Sequence, residues 1–110
     1  MATPAKLRLR ALRRLNLVEA GESANGDDDA AAQDAYVAIY GELEALGSVG
    51  WAITDTVPAQ FVEPLVQLIA HDLAPDYGAQ YGVDRDATKG RILYMLDTGE
   101  SGYPLKTQYF

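Results

Sequence analysis

The feature that most constrains the fold of this chain is residues 57–78, VPAQFVEPLVQLIAHDLAPDYG. Its apolar residues recur at spacings of three and four and cover more than half of a helix circumference. Pro75 and Gly78 predict the end of the segment, because the residue before a proline leaves the α region and glycine accepts a left-handed terminus. So wide an apolar stripe predicts a central buried helix, with core positions at Phe61, Val62, Leu65, Val66, Leu68, Ile69 and Leu73.

The start of this helix is marked by Pro58, which suits a first helical turn, with Asp55 or Thr56 as the expected cap. Pro64 lies further inside, where a proline removes one backbone hydrogen bond and clashes with the preceding turn. Either the helix starts nearer Phe61 or it kinks, and we expect a kink.

Composition narrows the class of protein. With 110 residues, the chain is long enough for one domain with a modest core. It has no cysteine and a single histidine, His71, so we expect no disulfide framework, no metal site and no cofactor. No apolar run approaches the roughly 20 residues that span a bilayer, so we expect no membrane association.

Charge is distributed unevenly along the sequence. The formal net charge is −7, yet five of the nine Lys and Arg residues fall in residues 6–14. Residues 15–84 contain thirteen Asp or Glu residues and no Lys or Arg. This pattern predicts one cationic element on an anionic body, and therefore two surfaces that face different environments. The cationic element consists of Lys6, Arg8, Arg10, Arg13 and Arg14.

The cationic segment itself has helical signals. Thr3 and Pro4 are a cap and first-turn pair for a helix from about Ala5 to Leu15, and Asn16 can supply a left-handed stop. We expect the basic residues to cover the remaining faces, as a solvated surface or as a contact to nucleic acid phosphates or to an acidic protein. The narrow apolar face comprises Leu7, Ala11, Leu12 and Leu15.

Two further helices are predicted. One runs from about Asp28 to Leu46, with aspartates 27–29 near its positive dipole end and Gly47 after it. We interpret these aspartates as helix-start residues, because the spacing of a calcium loop is absent. In the linker that follows, Trp51 and Ile53 are expected to pack under the bundle.

The last helix is predicted from Arg85 to Leu96, with Asp84 as its cap and with Ala87, Tyr94 and part of the ILYML run buried. The predicted fold is therefore all-α, a small four-helix bundle over residues 1–98 with an extended C-terminal arm over residues 99–110.

The arm ends in YPLKTQYF, which alternates with a period of two. It is either a disordered tail or a segment that orders on another chain, and we expect an edge strand added to a neighbouring subunit. Its candidate contact residues are Tyr103, Leu105, Tyr109 and Phe110.

Catalytic patterns are scarce. One histidine limits any Ser-His-Asp set, and no phosphate loop or HExxH motif occurs. His71 has Asp72 and Asp76 nearby in sequence, but adjacent helix positions face different directions. We therefore expect a protein that is not an enzyme.

Three pieces of the sequence resemble a known family. LRLRALRRLNLVEAGES, the Asp- and Ala-rich helix after it, and WAITDTVPAQFVEPLVQLIAHDLAPDYG together cover about residues 7–80. They are similar to head-to-tail adaptor proteins of tailed bacteriophages, also called tail accessory factors or packaged-DNA stabilisation proteins. The A-G-E turn at residues 20–22 and the L-A-P-x-Y-G ending at residues 73–78 are the most specific pieces.

The resemblance implies a structural role. Such a protein would form a homo-oligomeric ring, dodecameric in our expectation, beneath the portal vertex of the virion after assembly in the host cytoplasm. Its partners would be the portal protein and tail or nozzle proteins, and packaged DNA would pass through without sequence-specific binding. Two alternatives stay open: a small acidic hydrolase or regulator that acts alone, and a nucleic-acid-binding module that uses the basic helix.

Overall fold

The computed structural model describes residues 1–19 and 21–98 and is all-helical. Helices α1 (Pro4–Arg14), α2 (Gly26–Leu46), α3 (Ala59–Leu73) and α4 (Arg85–Thr98) are joined by loops, and a short 3₁₀ turn, Ala74–Tyr77, follows α3. The prediction of an all-α four-helix fold is confirmed for this part of the chain. The predicted C-terminal arm lies outside the described residues.

Helix α3 is the centre of the bundle, as its wide apolar stripe predicts. It packs against α1, α2 and α4. Its core positions Phe61, Leu65, Val66, Leu68 and Ile69 are fully buried. A helix that is apolar on most of its surface needs partners on several sides, and three neighbouring helices supply them.

The predicted cap of α3 is wrong. Neither Asp55 nor Thr56 caps the helix; Pro58 occupies the N-cap position without a side-chain hydrogen bond. The preceding Val57 instead pairs with Ala2 in an isolated antiparallel bridge, with N–O distances of 2.8 and 3.2 Å. This tertiary contact fixes the chain before α3. Helix α3 begins at Ala59, just after Pro58, and includes Pro64 in its second turn. The expected kink at Pro64 stays a prediction.

Local stop and start signals elsewhere are confirmed. The Thr3 hydroxyl accepts a hydrogen bond from the Lys6 backbone N–H at 3.3 Å, and the Asp84 carboxylate accepts one from the Ala87 N–H at 3.1 Å. Asn16 adopts the left-handed conformation, with φ of 61°. These short-range contacts follow from side-chain chemistry, so the sequence reveals them.

Helix α2 begins slightly earlier than predicted. Its N-cap is Asn25, whose side chain accepts from the Asp28 N–H at 2.8 Å. The aspartates at 27–29 lie in the first turn, as expected from the helix dipole.

The predicted burial on α4 is partly wrong. Ile92 and Met95 are buried together with Thr88, whereas Ala87 is exposed and Tyr94 keeps 62% of its surface accessible. The apolar run ILYML has no gap that marks a face, so the sequence does not define the rotation of α4. Packing against α3 decides it.

The prediction for the linker after α2 is confirmed. Trp51 is buried with its ring 4.9 Å from that of Phe61, and its indole N–H donates to the Tyr36 hydroxyl at 3.2 Å. Ile53 is half-buried beside the core. Trp51 thus closes one side of the bundle with its polar atom satisfied.

Candidate partner-binding surface

The orientation of α1 is set by its apolar residues. Leu7, Ala11 and Leu12 are fully buried, and Leu15 follows them at the end of the helix. Because these residues fix the rotation of α1, they also fix the direction in which each of its five cationic side chains points.

Arg8 points toward α2. Its Nε donates to Asp29 Oδ1 and its Nη1 donates to Gln33 Oε1, both at 2.8 Å. The Arg8 side chain is only 17% exposed. This arginine is therefore used to join α1 to α2.

Arg14 points toward α3. It forms a two-pronged contact with Glu63, in which both N–O distances are 2.7 Å, and its Nη1 also donates to the Tyr81 hydroxyl at 3.1 Å. The hydrogen bond to Glu63 is the main cause that raises the pKa of Arg14. The same bond lowers the pKa of Glu63, with a smaller contribution from the charge of Arg10. The planar fork of arginine suits this geometry.

Lys6, Arg10 and Arg13 remain on the outer face of α1. All three are exposed, and none of their side chains forms a hydrogen bond or ion pair with another residue of the described chain. Their spacing of four and three residues places them in one row along the helix. We call Lys6, Arg10 and Arg13 the exposed basic stripe.

The division of the five cations could have been found in the sequence. Arg8, Leu12 and Leu15 have spacings of four and three, so Arg8 shares the apolar face. Arg14 follows Leu7 by seven residues and therefore lies on the same side. The prediction that all five basic residues cover the faces away from the core is wrong for Arg8, whereas Arg14 is exposed, as predicted, and is paired with Glu63.

The four candidate contact residues at the C-terminus, Tyr103, Leu105, Tyr109 and Phe110, lie outside the described residues. The structure therefore neither brings them together with the exposed basic stripe nor separates them from it.

A second charged cluster joins α2, α3 and α4. Arg85 contacts Asp72 through Nε at 2.8 Å and Nη2 at 3.0 Å, and contacts Glu42 through Nη2 at 2.8 Å and Nη1 at 3.3 Å. Lys89 adds a contact to Glu42 at 3.0 Å. No short pattern in the sequence indicates this cluster, because its members come from three different helices.

The cations of this cluster lower the pKa values of its two carboxylates, Glu42 and Asp72. Hydrogen bonds from Arg85 and then Lys89 lower the pKa of Glu42 to about 2. Burial acts to raise the pKa of Asp72, but the hydrogen bonds from Arg85 and His71 outweigh it and the net pKa is lowered. Both carboxylates are held ionised by cations, so the arrangement ties helices together and leaves neither group poised to exchange a proton near neutral pH.

His71 lies at the edge of this cluster. Its Nδ1 is 3.1 Å from Asp72 Oδ1, so the expectation that these adjacent side chains diverge is wrong. The Asp72 carboxylate is therefore shared between Arg85 and His71. Among the hydrogen bonds of residues 1–19 and 21–98, none links His71 to a serine or threonine hydroxyl, so no nucleophile is aligned with this pair.

Within the part of the chain that the structure describes, no three His, Asp or Glu side chains are grouped to hold a metal ion. The described helices include none with the length and apolar character needed to cross a membrane.

Comparison with protein-family models, with curated proteins and with solved structures finds no match to this chain.

Proposed function

We propose that this protein is a structural head-to-tail adaptor of a tailed bacteriophage. In this proposal it is not an enzyme; it forms a ring of twelve copies beneath the portal, extends the DNA channel, helps retain packaged DNA and offers a platform to tail or nozzle proteins. The sequence resemblance over residues 7–80 supports this assignment. The observation that carries it in the structure is the exposed basic stripe on an otherwise acidic helical body.

The stripe is suited to contact another protein. Arg8 and Arg14 are held by ion pairs inside the chain, whereas Lys6, Arg10 and Arg13 are free to meet carboxylates on a partner. Opposite charges across an interface accelerate association and fix the orientation of the partners. We therefore assign the stripe to the contact with the portal.

The acidic body is suited to a DNA channel. With a net charge of −7 for each copy, a ring would repel nucleic acid phosphates over most of its surface. Such a channel lets the genome slide without sticking, because tight binding to DNA depends on cations that neutralise phosphates.

The test compares two arginine variants that carry the same change of charge. Arg10→Glu alters the stripe, while Arg91→Glu alters an exposed arginine on α4 that has no hydrogen bond or ion pair within the described residues. Purified protein is mixed with the portal protein of the same virus, and complexes are counted by native mass spectrometry and cryo-electron microscopy. We expect Arg10→Glu to weaken ring assembly on the portal by about tenfold, as the loss of about 1.4 kcal/mol would, and Arg91→Glu to leave it unchanged.

Arg14 is left unchanged in this test, because its replacement would break the contact to Glu63 inside the chain. Circular dichroism of both variants checks that folding is preserved. Equal assembly by the two variants, with loss of duplex DNA binding only in Arg10→Glu, would favour the nucleic-acid-binding alternative. A protein that stays monomeric in the presence of portal rings would contradict the proposal as a whole.

A further inference from the structure

An open cleft with several apolar side chains in its walls lies where the end of α2 meets α4. It has a volume of about 660 Å³, and its walls include Leu46 and Gly47 from the end of α2 and Leu93, Tyr94 and Leu96 from α4. Leu93 and Leu96 are half-buried, whereas Leu46 and Tyr94 are 59% and 62% exposed.

The exposure at this cleft is unusual for the molecule. Among the described residues, only three large hydrophobic side chains are more than half exposed, and two of them, Leu46 and Tyr94, share this cleft. Gly90 widens it, since nothing lies within 4 Å of the place where a Cβ would stand. Neighbouring exposed apolar side chains mark a surface that another segment covers.

The covering segment can be identified from where the described chain ends. Helix α4 ends at Thr98, directly after Asp97, which itself lines the cleft. Residues 99–110 continue from this point and include the apolar sequence YPLKTQYF. We propose that in the free protein residues 103–110 bind in the cleft between α2 and α4 of their own chain.

The distances permit this arrangement. Five residues lead from Thr98 to Tyr103, which is a reach of at most about 17 Å. Along α4, the cleft extends from Asp97 back to Gly90, about 10 Å at the rise of an α-helix. The segment can therefore turn back, and about three or four of its extended residues fill the length of the cleft.

The cleft is expected to bind residues 103–110 of its own chain and not those of a second copy, because the tethered segment has the higher effective concentration at the cleft. A segment joined by a short linker meets its site at an effective concentration in the millimolar range, about a thousandfold above a second copy at micromolar concentration. The side chains also match the cleft: Tyr103 and Leu105 share one face of an extended segment, lie about 7 Å apart and can cover Leu46 and Tyr94. This inference does not depend on the proposed function.

Because the chain has no cysteine, the inference can be tested with single spin labels. Ser48→Cys places the label at the cleft, and Ser23→Cys places it in the loop before α2. Position 23 is the control site, because it lies about 30 Å from position 48 along the axis of α2. Amide signals of residues 103 and 105–110 are recorded by NMR in the full-length protein. We expect the label at position 48 to erase these signals and the label at position 23 to preserve them.

Two further samples sharpen the result. Leu105→Asp, introduced together with Ser48→Cys, should restore the signals, because a carboxylate opposes burial against the apolar side chains of the cleft. A mixture of isotope-labelled chain without a spin label and spin-labelled chain without isotope should show no loss of signal. Signals that persist beside the label at position 48 would overturn the inference. Signal loss in the mixture would also overturn it, since a second copy would then fill the cleft.

Discussion

Replacement of Arg85 by methionine tests how strongly the charged cluster joins α4 to the rest of the bundle. Arg85 makes four N–O contacts of 2.8 to 3.3 Å with Asp72 and Glu42. Methionine retains the length and helix propensity of the side chain but removes every donor. The change therefore leaves Asp72 without its arginine and Glu42 with Lys89 alone.

The magnitude follows from the exposure of the three groups. The side chains of Arg85 and Asp72 are each 25% exposed and that of Glu42 is 35% exposed, so water screens part of the interaction. Hydrogen bonds to charged groups contribute about 1.5–3 kcal/mol when shielded, and exposed pairs contribute at most about 1 kcal/mol. Between these limits, we expect Arg85→Met to lower the free energy of unfolding by about 2 kcal/mol at pH 7.

The pH dependence has a defined sign. The pKa of Glu42 is lowered from an ordinary 4.5 to about 2, so the ionised form is favoured by folding. This contribution is fully present above about pH 4.5 and is lost as the pH falls through about 2. The difference between the original protein and Arg85→Met should thus shrink by about half at pH 3.

Urea unfolding followed by circular dichroism at pH 7 and pH 3 measures both effects. Arg91→Met is the matched control, since Arg91 is an exposed arginine of the same helix without a hydrogen bond or ion pair among the described residues. It should change stability by less than about 0.5 kcal/mol. Equal stability of the two variants at pH 7, or a stability difference that is the same at both pH values, would refute a stabilising role for Arg85.

Two further predictions concern the core. Leu65→Ala should cost about 2–5 kcal/mol in urea unfolding, because Leu65 is fully buried in α3, while Val37→Ala should cost far less because Val37 is 45% exposed; equal losses would contradict this account of the core. Trp51→Phe should cost about 1–3 kcal/mol, because it leaves the buried Tyr36 hydroxyl without its indole donor. Adding Tyr36→Phe should recover part of that loss, and a double variant with purely additive destabilisation would show that the hydrogen bond is not responsible.

Much of the helical framework is predictable because its signals are local. Thr3, Asn16 and Asp84 act within three or four residues of their own position, and each does what its side-chain chemistry predicts. The apolar stripe of α3 is similarly informative, since a helix apolar on most of its surface has only one place in a small bundle.

The errors arise where a distant contact decides between local alternatives. The start of α3 is fixed by the bridge between Val57 and Ala2, so Asp55 and Thr56 are not needed as caps. On α4, a continuous apolar run allows several rotations, and packing exposes Tyr94 and buries Ile92 instead. Neither outcome is encoded in a short window of sequence.

The sequence predicts the cations of the candidate surface but not the partners that two of them have inside the chain. The sequence locates the cations on α1, but it does not show which carboxylates approach them from α2 and α3. Asp29 and Glu63 are more than twenty residues away from their arginines along the chain. The spacing along α1 indicates that Arg8 and Arg14 lie toward the bundle, and the tertiary structure adds the carboxylates that hold them.

The contrast between the two paired arginines of α1 and its three unpaired cations suggests a role for the exposed basic stripe. The chain carries sixteen acidic residues, so carboxylates are available to pair with every cation it has. Water solvates exposed lysine and arginine side chains, so single cations scattered over a protein surface are ordinary and do not indicate a binding site. Lys6, Arg10 and Arg13 instead form one row on a helix whose other two cations are paired, and the surrounding field of a −7 chain is of opposite sign. A row of like charges weakens its own helix slightly through repulsion between residues three and four apart. No carboxylate of the described residues forms an ion pair with the row, and an acidic protein surface would supply that counter-charge without requiring the acidic body to approach DNA.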